Sequence, residues 1–257
     1  MSPPGAQLLL ARLLVEPALF ADVRADPETF AARYGLPVAD VRRLGATGEP
    51  GLYTTAAVTR LKKFEAVEVA FPATLRRCRA VWDDETIFDR YLARARLTTL
   101  RGVIALGERL GALVREATAP ADLDVVADLH RYELLLHEVR LRALERAPTP
   151  AVAGPALGPG VTVATFGTPV SKVRRRVLDE APFDDLRDRE THYVLAPGPD
   201  NTVRAHRIPS GLRNLLDNCD GTRTVPALGA ALGLSVESVR HALASLRDKG
   251  VEVTGAW

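Results

Sequence analysis

Three side chains able to ligate a transition metal, His130, Glu133 and His137, fall on one face of a helical pattern running from Asp122 to Leu144. Histidine and glutamate both bind zinc or iron. The spacing argues against a metal site. Seven residues of helix put the histidines about 10 Å apart along the axis, whereas a compact pair of helical ligands sits one turn apart. Glu133 reads better as a buried or interfacial group that bonds an arginine such as Arg101 or Arg140 and so orients packed helices. Lys172, Arg174, Arg175 and Arg176 form a basic cluster beside Val173 and Val177. Such a cluster suits an acidic peptide, phosphates or simply a solvated face. The sequence has no glycine-rich phosphate loop, no nucleophile elbow and no Cys/His set at catalytic spacing, so nothing in it argues for an enzyme.

Composition narrows the remaining classes. A chain of 257 residues, 47% hydrophobic, can bury a real core in one large or two small domains. Its 34 basic and 32 acidic residues nearly cancel to +2, which leaves no global field for nucleic acid or membrane. Any basic surface must be local. Cys78 and Cys219 lie far apart and have no second cysteine at redox or metal spacing, which argues against a disulfide framework. The N-terminal apolar run is interrupted by Arg12 and Glu16 and lacks the form of a secretory signal. No apolar stretch approaches the roughly 20 residues of a membrane span. The expectation is a soluble, cytoplasmic protein with no membrane partner.

The elements that must position these residues change character along the chain. From Ala6 to Arg146 apolar residues recur every three or four positions, which predicts an α-helical domain over residues 1–146. Asp26-Pro27 opens its second helical segment and Gly35 ends it. Gly48 to Gly51 reads as a loop before a helix over Tyr53–Val69, and Pro72 opens another carrying Leu75, Cys78 and Val81. Glu85 to Ala117 gives one long pattern interrupted by glycines, and Asp122 to Leu144 gives the last long helix. Residues 147–160, largely Ala, Pro and Gly, read as an interdomain linker. Beyond it, alternation predicts strands at Val161 and Val163, at Val170–Val177, at Thr191–Ala196 and at Thr202–Ile208, the last two joined as a hairpin by the turn Pro-Gly-Pro-Asp-Asn. Three helices follow, Gly211–Asn218, Val225–Leu232 and Ser235–Lys249, with Ser235 as N-cap and Gly250 as C-cap.

Leu228 to Val253 has the form of a helix-turn-helix. As a DNA reader its second helix would present Glu237 and Asp248 among its bases, where phosphates would crowd. Immediately upstream, Leu212 to Val225 carries a leucine-rich segment and the turn Asp220-Gly221-Thr222-Arg223-Thr224-Val225. In that turn Asp220 can accept from nearby amides, Gly221 can turn left-handed and Thr224 can cap the next helix. This stretch resembles the PqqD-type peptide-recognition domain, the recognition element of ribosomally made peptide pathways. The resemblance implies a small α+β winged-helix domain over residues 161–257, in which a leader peptide is added along the third strand and covered by the third helix. It implies peptide contacts at Thr202, Val203, Arg204, Ala205 and His206 on that strand. Val239, Leu243 and Leu246 would line the groove, some of them serving the core as well. Lys172 and Arg174 are added as candidate contacts for an acidic leader.

A second resemblance lies in the helical part. Phe71-Pro72 opening a helix, and Asp128-Leu129 followed by Glu133 on a later one, are similar to segments of the HvfC and methanobactin-cassette partner proteins of multinuclear non-haem iron oxidative (MNIO) enzymes. The resemblance leaves the N-terminal segment Ala6–Leu44 unaligned. It implies a non-catalytic partner that delivers a precursor peptide to an iron-dependent enzyme, docking through surfaces near Phe71 and Glu133. The iron would then belong to the partner enzyme, and this chain would carry no cofactor. The alternative expectation is a winged-helix transcription regulator with a helical sensor domain, in which nucleic acid is the partner.

Overall fold

The computed structural model describes residues 4–47, 49–93, 99–145 and 152–257. In chain order its elements are α1 (Pro4–Val15), α2 (Leu19–Ala25), α3 (Pro27–Tyr34), α4 (Val38–Gly45), α5 (Glu49–Ala70), α6 (Pro72–Arg79) and α7 (Asp84–Ile87). A π-helical turn, Phe88–Leu92, precedes α8 (Leu100–Ala117) and α9 (Leu123–Leu144). There follow β1 (Ala156–Leu157), β2 (Thr162–Phe166), α10 (Val170–Leu178), β3 (Thr191–Pro197), β4 (Val203–Ile208), α11 (Ser210–Asp217), α12 (Val225–Leu232), α13 (Val236–Asp248) and β5 (Val253–Thr254). The protein is thus mainly helical, with a small antiparallel sheet near its C-terminus. Among the described residues no helix is long and apolar enough to cross a membrane.

The chain forms two compact units, one of Met1–Val69 with Trp82–Leu97 and one of Ala70–Val81 with Thr98–Trp257. In the first, Leu9, Leu13, Phe20, Val23, Ala31 and Val41 bury a common core. Local chemistry sets its helix ends. Asp26 accepts from the Thr29 amide at 3.1 Å with Pro27 in the first turn, and Gly35 ends α3 at φ 61. Pro50 and Gly51, expected in a loop, lie in the first turn of α5, where a proline forfeits no helical hydrogen bond. The long pattern from Glu85 is broken. α7 gives way to the π-helical turn, and α8 starts afresh where Thr99 Oγ1 accepts from the Gly102 amide at 3.1 Å.

The second unit is built around the sheet, ordered β2-β3-β4 and antiparallel throughout. On one face Ala164, Phe166, Tyr193 and Leu195 pack against Tyr132 and Val139 of α9. On the other, Val194, Ala196 and Ile208 pack against Leu215 and Leu216 of α11, Leu228 of α12, and Val239, Leu243 and Leu246 of α13. Packing on both faces explains why β3 is buried almost residue by residue and apolar from Tyr193 onward.

Three expectations are corrected here. Val170–Val177 is the helix α10, because Val170, Val173 and Val177 repeat at helical spacing and their buried face meets α6 and α9. The expected linker is ordered from Val152 onward: β1 pairs with β5, and Gly154 and Pro155 exchange backbone bonds with Gly221 at 3.1 and 3.0 Å. Its first residues, 147–151, lie outside the described residues. The expected boundary at 147–160 falls inside the second unit, which contains α6, α8 and α9 as well as the sheet. The apolar face of α9 that reads as helical-domain core is what covers the sheet.

Candidate functional site

The residues singled out on α9 meet the start of α6. A helix N-terminus leaves its first amides without intrahelical partners. The two oxygens of Glu133 accept from the Ala73 amide at 3.2 Å and the Thr74 amide at 3.0 Å, so a carboxylate from another helix caps α6. Arg174 of α10 donates its Nε to the same carboxylate at 2.9 Å. The Phe71 ring lies between His130 and His137, with centroid separations of 6.1 and 5.1 Å. Gly107 of α8 makes room for it, since a Cβ there would stand 2.5 Å from Phe71 Cζ. His137 Nε2 reaches the Ala70 carbonyl at 2.9 Å, a bond that needs the Nε2–H tautomer. Burial pushes the His130 pKa down to about 4 and lowers that of His137 as well.

The motif residues upstream on α9 complete this arrangement. Leu129 packs with Ala73, Val173 and Val177. Asp128, its pKa raised by burial, binds the backbone amides of Gly167 and Thr168 between β2 and α10. The Phe-Pro and Asp-Leu-x-x-x-Glu patterns therefore join α6, α9 and the loop after β2. Phe71 is 0% and Glu133 1% exposed, so neither side chain can touch a partner directly and the expected docking role for them is corrected to positioning. The arginine on Glu133 is Arg174, not Arg101, which pairs with Glu145, and not Arg140. Among the described residues no group of three His, Cys, Asp or Glu side chains is arranged to hold a metal ion.

The basic cluster on α10 is largely paired within the unit. Arg174 serves Glu133, Arg175 approaches Asp179 at 3.6 Å, and Arg176 pairs with Asp185 at 3.2 Å. Lys172 is exposed. Among the described residues no hydrogen bond or ion pair joins Lys172 or Arg174 to β4, so the structure does not group them with the strand candidates.

The strand candidates lie at an open edge. β4 pairs with β3 on one side, and among the described residues no strand pairs with the other. Hairpin parity identifies the free groups. Gly198 N donates to Thr202 O at 2.9 Å, which makes that opposed pair hydrogen-bonded. The register then makes Arg204, His206 and Ile208 the residues bonded to β3 and turns the N–H and C=O groups of Val203, Ala205 and Arg207 outward. Pro197, which has no amide hydrogen, falls in a pair that needs none between β3 and β4. Thr202 precedes the strand and closes its turn, where Asp200 and Asn201 take positive φ of 54 and 58.

Side chains alternate along this edge. Val203 and Ala205 are half-buried against the α9 side, with Leu135 and Leu136. Arg204 and His206 face the α13 side, where both reach the Lys249 carbonyl, at 3.5 and 3.2 Å. Gly250 admits that approach, because a Cβ there would collide with Arg204 Nη1 at 1.7 Å. Val239, Leu243 and Leu246 are 0%, 0% and 1% exposed, so they fix α13 to the sheet as core and do not line an open groove. In the Asp220–Val225 turn, Asp220 accepts from the Thr222 amide at 2.9 Å and Gly221 has φ 83 as expected, while Thr224 occupies the N-cap position without a side-chain cap bond. Ser235 caps α13 by accepting from the Ser238 amide at 3.1 Å. Arg207 and Lys249 are the edge residues that sequence reading missed. Strand parity would have marked Arg207, whereas nothing in the sequence places the end of α13 beside β4.

No protein-family model matches this sequence, and no curated protein matches it.

Proposed function

We propose that this chain is a non-catalytic partner protein that captures an extended segment of a ribosomally made precursor peptide along β4 and delivers it to a separate, iron-dependent modifying enzyme. The C-terminal hairpin and α11–α13 act in this reading as a winged-helix-like recognition module, with the guest chain as the next strand of the sheet. The observation that carries it is the outer edge of β4, whose outward N–H and C=O groups on Val203, Ala205 and Arg207 have no strand partner among the described residues. Six such groups, at roughly 1 kcal/mol net per hydrogen bond, fall somewhat short of the roughly 8 kcal/mol of micromolar binding. Side-chain contacts on the two faces of the sheet supply the difference. Holding the leader would raise the effective concentration of the reactive end of the peptide at the partner enzyme.

A DNA-reading role for α13 has less support. Its exposed residues include Glu237 and Asp248, and an edge that alternates donors with acceptors is matched by a peptide backbone, not by phosphates, which only accept.

The test is titration of a labelled precursor peptide against the wild type and Ala205→Pro. Proline at 205 removes an outward donor without touching the ladder to β3. The variant is expected to keep its fold by circular dichroism and lose the peptide. Binding unchanged in a folded Ala205→Pro would refute capture at this edge.

A further inference from the structure

The charges along the open edge go further and describe what it captures. Several arginines of the second unit are neutralised within it, among them Arg76 by Glu180, Arg142 by Glu138, Arg187 by Asp122 and Arg213 by Asp217. Those at the edge are not. Arg204, Arg207 and Lys249 are exposed and form no ion pair among the described residues, and β4 itself contains no acidic residue. Polar and apolar side chains alternate there in register, with Val203 and Ala205 on the α9 side and Arg204 and His206 on the α13 side.

We infer that the captured segment is an acidic-apolar alternating peptide, with carboxylates opposite Arg204 and His206 and apolar side chains opposite Val203 and Ala205. The inference rests on the capture reading above. Directly opposed residues on neighbouring strands share a face, so the side-chain pattern of β4 dictates the complementary pattern of its guest. A second copy of this chain is a poor occupant. Antiparallel pairing of β4 about Ala205 would set Arg204 of one copy against His206 of the other and offer no carboxylate to either. Nucleic acid matches the charge and fails at the backbone, because its phosphates offer no donors in strand register with the outward carbonyls of Val203, Ala205 and Arg207.

The experiment is fluorescence anisotropy of the full chain with three short labelled peptides, which alternate valine with glutamate, glutamine or lysine. Val-Glu is expected to bind best and Val-Lys worst, with Val-Glu ahead of Val-Gln by on the order of tenfold from cross-strand pairing at Arg204 and His206. That gap should shrink in high salt. Arg204→Glu should weaken Val-Glu and improve Val-Lys. Equal binding of Val-Glu and Val-Gln at all salt concentrations would overturn the inference and leave capture standing. Binding of none of the three would overturn both. Displacement of Val-Glu by an equimolar DNA duplex, or self-association that the Arg204→Glu change alters, would assign the edge to another occupant and also overturn the inference.

Discussion

Replacing Glu133 with alanine should destabilise the second unit by roughly 3–5 kcal/mol. The buried carboxylate is the partner of two first-turn amides, Ala73 and Thr74, at 3.2 and 3.0 Å. Each amide left unsatisfied in the interior costs roughly 1–3 kcal/mol. The lost side-chain volume adds to this, since the pocket is closed by packed helices. Arg174 contributes less. Its side chain is 34% exposed, so water can replace the carboxylate and its pairing is worth about 1 kcal/mol or less. Glu133→Gln keeps the shape and one acceptor oxygen but turns an amide donor toward the remaining N–H, so about half the loss is expected. The assay is urea unfolding followed by Trp257 fluorescence in a Trp82→Phe background, because Trp257 lies in the second unit and Trp82 in the first. A loss below about 1 kcal/mol for Glu133→Ala, or an Arg174→Ala loss as large as that of Glu133→Ala, would refute the capping argument.

Gly107→Ala should cost about 1–3 kcal/mol in the same assay, because the new methyl would meet Phe71 Cζ at 2.5 Å and Leu134 Cδ1 at 2.7 Å. Acid should unfold the second unit through its buried histidines. The folded pKa of His130 is depressed from 6.5 to about 4, so the unfolded chain binds the extra proton first and stability, intact above about pH 6.5, falls toward pH 4. That one group accounts for roughly 3 kcal/mol, and a His130→Gln variant should show a flatter dependence of urea midpoint on pH. The Cys78 thiol, buried and with its pKa raised to about 12, should resist alkylation in the folded chain and react only on unfolding, as quenched mass spectrometry would report.

Local signals in the sequence were legible where a residue acts on its own neighbours. Asp26 before Pro27, Gly35, Ser235 and Gly221 all do in the structure what their chemistry predicts, and the Pro-Gly-Pro-Asp-Asn turn does close the β3–β4 hairpin. Long-range pairing was not legible. The carboxylate of Glu133 could be read as buried, but its partners stand about sixty residues before it and about forty after it, and no periodicity names them. Proline and glycine at 147–160 suggest a linker, yet irregular backbone can be strapped down by its own hydrogen bonds, as Gly154 and Pro155 are. Valines at 170, 173 and 177 carry the β-branched composition of a strand, but their spacing of three and four is helical and buries all three on one side. Side-chain typing found the residues of β4. Which of them turn their backbone outward depends on the register with β3.

The central claim is tested most directly by amide hydrogen exchange of β4, read residue by residue with and without the precursor peptide. Capture at the edge predicts fast exchange at Val203, Ala205 and Arg207 in the free protein and strong protection at those three on binding, while Arg204 and His206, already bonded to β3, change little. Protection at the three in the free protein, or a bound peptide that leaves them exchanging as before, would contradict it.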